Sequence, residues 1–146
     1  MEPIRNWKEA FEAGRDYGLL VIRLGVGLMF FFVHGLPKIQ AGPELWAKLG
    51  GAMGNLGISF APAFWGLMAA SAECFGGLFL ALGLLARPAA AAMAFTMLVA
   101  ATMHLAAGDG LKGAAHATEL FFVLSGLVLA GAGRFSLDRK FFGENI

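Results

Sequence analysis

Apolar residues in this chain run in four long, nearly unbroken stretches, separated by short clusters of Gly, Pro and charged residues. The stretches extend from Tyr17 to His34, from Phe60 to Ala86, from Pro88 to Ala107 and from Ala117 to Ala132. A helix needs about 20 largely apolar residues to cross a hydrocarbon core. Strict alternation of apolar and polar positions, the mark of a barrel strand, is missing; the runs are continuous and rich in Leu, Ala, Gly and Phe. The pattern predicts an all-α membrane protein: one domain over residues 1–146, built as a four-transmembrane-helix bundle.

The connections carry their own signals. The first, Gly35 to Ser59, is the longest, and within it "PELWAKLGGAM" reads as a short amphipathic helix that Pro43 opens and glycines close. Lying in the interface, it would lid the mouth of the bundle. The second connection is a tight turn at Arg87, and the third, "GDGLKGAA", reads as a flexible turn. Ahead of the first span, "NWKEAFEAGRDY" sets Trp7, Phe11 and Tyr17 among charges, as an interfacial helix does. Its acidic residues and the lack of a small-residue cleavage site set it apart from a secretion signal.

Composition strengthens the membrane reading. Hydrophobic residues make up 58% and charged residues 14%, against about 25% charged in soluble domains. A net charge of +1 gives no electrostatic case for a nucleic-acid or acidic partner. Cys74 is the single cysteine, so no intramolecular disulfide forms. Basic residues are unevenly shared between the two sides. Seven (Arg5, Lys8, Arg15, Arg87, Arg134, Arg139, Lys140) fall on the side of the termini, and three (Lys38, Lys48, Lys112) on the other. Positive loops stay inside, which predicts an inner-membrane protein with both termini cytoplasmic.

Charges at membrane depth are costly, about 2.5–3.5 kcal/mol each at a helix centre, and tend to face the bundle interior. Glu73 lies mid-way along the second span, with Ala69, Gly76 and Gly77 at helical spacing; so small a face admits close neighbours. Arg23, inside the first span, is its expected partner. Arg23, Gly27, Phe30 and His34 share one stripe, since eleven residues make about three turns. Lys38 follows if the helix carries on past Pro37. His104 lies near the end of the third span, and His116 and Glu119 are one turn apart at the start of the fourth. Together these residues predict a polar funnel, open outward, that ends in a buried Glu73–Arg23 pair.

The ordered set of "IRLGVGLMFFFVHGLPKI", "LGISFAPAFWGLMAASAECFGGLFLALGLLARPAA", "MLVAATMHLA" and "GAGRFSLDRKFFG", covering Leu19 to Gly143, resembles the DoxX family of small four-span bacterial membrane proteins. The resemblance implies a four-helix bundle in the cytoplasmic membrane. It also implies kinship with the membrane subunit of thiosulfate:quinone oxidoreductase and with proteins linked to sulfur or oxidative stress. Cys74 has no second cysteine for persulfide relay chemistry, so a sulfur substrate would have to be handled by a partner subunit.

The leading functional expectation is therefore an oxidoreductase subunit that interacts with quinone. Reduction of a quinone takes two electrons and two protons. Glu73, His104 and Glu119 are the candidate catalytic acids and bases, with Arg23, His34 and Lys38 holding the cofactor and stabilising its negative charge. Phe30, Phe31, Met97 and Met103 would form the apolar slot. No Gly-rich strand–turn–helix unit for flavin or nicotinamide is present, so electrons would come from a partner subunit or a reductant; a homo-oligomer is the other expected association. The alternatives are a non-catalytic membrane anchor or assembly partner, a small proton-coupled transporter, and a haem or metal protein using His34, His104 and His116. No metal site is expected.

Overall fold

The computed structural model describes residues 3–143 and contains helices and turns, with no strand among the described residues. In chain order the elements are α1 (Pro3–Met29), a π-helical turn (Phe30–Gly35), α2 (Leu36–Ala41), α3 (Pro43–Gly50), a 3₁₀ segment (Gly51–Leu56), α4 (Pro62–Leu82), α5 (Ala86–Ala106), α6 (Gly110–Ala130) and α7 (Leu137–Phe142). Four helical stretches are long and apolar enough to cross a membrane: Glu9–Ala41, Pro62–Leu82, Ala86–Ala106 and Gly110–Ala130. Large apolar side chains such as Phe11, Val21, Phe122 and Leu129 are exposed around the outside, as expected of a lipid-facing surface.

The first span is longer than its apolar run, because the helix passes through Pro37 without ending. Proline has no N–H for the carbonyl four residues back. The chain meets that loss with one wide turn, in which the Leu36 N–H reaches the Phe31 carbonyl five residues back. The fourth span begins seven residues before the apolar run, since the expected flexible turn "GDGLKGAA" mostly joins α6. Gly108 and Gly110 both hold positive φ and confine the reversal to the few residues around Asp109.

Helix α4 is the centre of the bundle, in contact with α1, α3 and α5, while α6 packs mainly on α5. Its small residues let the backbones close in. A methyl on Gly27 would come within 2.6 Å of the Gly77 carbonyl, and one on Gly77 within 2.7 Å of the Gly27 carbonyl. Gly35 lies directly against the Cys74 backbone, and Gly50 of α3 against Pro62 and Gly66 of α4. Without a hydrophobic force between helices in lipid, such close contact is what holds them. Beside it, Phe30, Leu80, Met93 and Leu124 fill the core with almost no exposure. The amphipathic α3 forms where expected but packs along α4; the 3₁₀ segment after it is what reaches across to α5.

Candidate functional site

Two polar constellations lie at opposite ends of the bundle. At the end bearing α2 and α3, Glu73 is 1% exposed, and its Oε2 accepts a hydrogen bond from Lys38 Nζ at 2.5 Å. Lys38 reaches it because of the π turn. In a regular helix, Lys38 would lie about 80° around from Phe30; the wide turn takes up about 100° and brings Phe30, His34 and Lys38 onto one stripe. Trp46 of α3 donates its Nε1–H to the Lys38 carbonyl at 2.8 Å, fastening α2 from the other side.

The pair closes one side of a cavity of about 170 Å³. Phe30, Met97, Ala100 and Leu120 give it apolar walls, and His34, His104 and His116 bring three imidazoles to it. The His34 ring packs 5.4 Å from Phe30 and 5.9 Å from His116 between centroids, which links the first span to the fourth. His104 Nδ1 lies 2.7 Å from Asp109 Oδ2, so the carboxylate fixes the ring's orientation. Among the described residues no group of three or more His, Cys, Asp or Glu side chains is arranged to hold a metal ion.

The structure brings together Glu73, His34, Lys38, His104 and His116. It does not bring Arg23 or Glu119. Glu119 is exposed and is not part of the cavity lining. Phe30 and Met97 line the cavity, whereas Phe31 and Met103 do not. The expected Glu73–Arg23 pair is corrected to Glu73–Lys38, and the reason is axial distance. Glu73 is level with Gly35, whereas the Arg23 guanidinium abuts Gly83, ten residues further along α4, which is about 15 Å at 1.5 Å per residue. Asp109 was missed as a site residue; its spacing of five from His104, across a helix end, was the available signal.

At the other end Arg23, itself 1% exposed, serves the chain's own tail. Its Nη2 donates to the Phe135 carbonyl at 2.6 Å, in the link that leads into α7. Asp138 of α7 then accepts from the Leu85 and Ala86 backbone N–H groups, at 2.6 and 2.9 Å, and its own N–H donates to the Gly83 carbonyl at 2.8 Å. Leu85 is held at φ 47°, a conformation costly for a branched side chain and fixed here by that carboxylate. Asp16 accepts from the Arg134 N–H at 3.2 Å. The tail is thus latched onto both α1 and the α4–α5 turn.

The molecule is a multi-span membrane protein: four apolar helices, close-packed through glycines, with a polar cavity at one end and a latched tail at the other. The DoxX family model matches residues 18–106, more than half of the chain, and the protein belongs to the DoxX family. The match takes in Arg23, His34, Lys38, Glu73 and His104, and stops before Asp109, His116 and the tail. No curated protein and no solved structure matches the chain.

Proposed function

We propose that this protein is the membrane-embedded subunit of an oxidoreductase in a bacterial cytoplasmic membrane, and that a quinone ring binds in the cavity beside Glu73. The observation that carries this reading is the ion pair of Lys38 with the buried Glu73, opening onto a cavity that has apolar walls on one part and three imidazoles on another. The space fits one ring: an engineered apolar cavity of about 150 Å³ takes up benzene, and this one is about 170 Å³. When bound, a quinone supplies two-electron chemistry coupled to two protons. Lys38 and the imidazoles offer N–H donors for ring carbonyls, and His104, held by Asp109, can hold or release a proton at its free Nε2. Glu73 holds the Lys38 side chain in place. The chain has no flavin or nicotinamide motif, so a partner subunit would deliver the electrons.

The test is to purify the protein in mild detergent, extract bound small molecules and identify them by mass spectrometry, for the wild type and for Glu73→Gln. Quinone held by the wild type and lost from the folded variant is the expected result. A folded wild-type protein without quinone would leave a non-catalytic anchor as the reading.

A further inference from the structure

Four arginines from four separate segments line a single cavity of about 160 Å³ at the tail end: Arg15 of α1, Arg87 of α5, Arg134 of the link after α6, and Arg139 of α7. Asp16 and Asp138 share the lining, but both are already engaged. Asp138 uses both oxygens on the Leu85 and Ala86 N–H groups, while Asp16 accepts from the Arg134 backbone and lies 3.6 Å from Arg15. Among the described residues no carboxylate is within ion-pair distance of the Arg87 or Arg134 guanidinium. The guanidinium groups of Arg87 and Arg134 are therefore the two that face the cavity without a carboxylate among the described residues.

We propose that this cavity binds a phosphate group, either the headgroup of an anionic phospholipid or free phosphate. Guanidinium forks pair with phosphate oxygens two at a time, and a tetrahedral anion offers oxygens toward arginines that converge from several directions. The Arg87 head has room there because residue 131 is glycine. Gly131 holds φ 77°, and a Cβ there would lie 3.1 Å from Arg87 Nε and Nη2. The depth also suits a headgroup. Ala130 and Ala132, at the end of the last span, form part of the lining. The nearby Tyr17 and Phe135 rings, 4.9 Å apart, are of the kind that mark the membrane interface. Basic pockets between spans at that level hold phosphorylated headgroups.

The experiment uses the full chain in mild detergent. Phosphatidylglycerol, phosphatidylcholine and inorganic phosphate are titrated separately, with binding read by native mass spectrometry and by thermal shift. The variants are Arg87→Gln and Arg134→Gln, with Arg87→Lys as the charge-conserving control. The wild type is expected to retain phosphatidylglycerol in preference to phosphatidylcholine, with each glutamine variant weakened about tenfold and Arg87→Lys weakened less. The same pattern with inorganic phosphate identifies the free anion as a ligand; its absence identifies the lipid. A wild type that binds neither anion, or that retains both lipids equally and does not bind inorganic phosphate, overturns the proposal whatever the variants do. So does undiminished binding in the two glutamine variants.

Discussion

A carboxylate in the middle of an apolar helix calls for a polar partner, and here the partner is Lys38. Removing one member of a buried pair strands the other, at a cost of about 3–5 kcal/mol. The Lys38 side chain keeps 28% exposure, which places Lys38→Met at the lower end, about 3 kcal/mol. The double variant Lys38→Met with Glu73→Leu should recover most of that loss, since well-packed apolar side chains replace buried pairs at little cost. Thermal unfolding in detergent checks both, and a double variant no more stable than Lys38→Met would show that Glu73 has other partners. Asp138 holds two otherwise unpaired N–H groups at the start of α5. Asp138→Ala should therefore lower stability by about 1–3 kcal/mol and loosen the tail, measured as faster proteolysis after residue 133. Asp138→Asn, which keeps one acceptor, should lose less.

At the scale of elements, the π turn decides which side chains meet. With Pro37→Ala a regular helix can re-form through Phe30–Gly35, rotating Lys38 by about 100° away from Glu73. The coupling between Lys38 and Glu73, expected at about 2 kcal/mol from a double-mutant cycle, should then fall close to zero on the Pro37→Ala background. Coupling that stays intact would mean the wide turn survives without the proline. The same turn explains what the sequence reveals and what it conceals. The four spans are legible because their apolar runs match a membrane's thickness, and the small face around Glu73 is legible as Gly76 and Gly77 at helical spacing. That His34, His104 and Glu73 share one volume follows from placing each residue along its span. The partner of Glu73 is not legible in this way. It depends on the relative height of two antiparallel helices, set by the contact of Gly35 with Cys74, and on a register shift that no periodicity encodes. The tail escapes for a similar reason, because the reach of Asp138 to Leu85 and Ala86 joins residues more than fifty positions apart.

For the whole molecule, the two constellations divide the bundle into unlike ends, and which end faces the cytoplasm decides what each can meet. Four spans return the chain to its starting side, so the beginning of α1, the α4–α5 turn and α7 lie together, as the contacts of Asp16, Gly83 and Asp138 require. That end carries Arg15, Arg87, Arg134 and Arg139, and the excess of basic residues there favours keeping it inside. Green fluorescent protein fused after the tail should therefore fluoresce, while alkaline phosphatase at the same point stays inactive. The reverse should hold for fusions placed in the turn between the 3₁₀ segment and α4. In this orientation the Lys38–Glu73 cavity and its imidazoles lie toward the outer face, and the arginine cavity meets the anionic inner leaflet. Reversed reporter activities would exchange these surroundings. The arginines would then lie at the outer leaflet, and the Lys38–Glu73 cavity toward the cytoplasm.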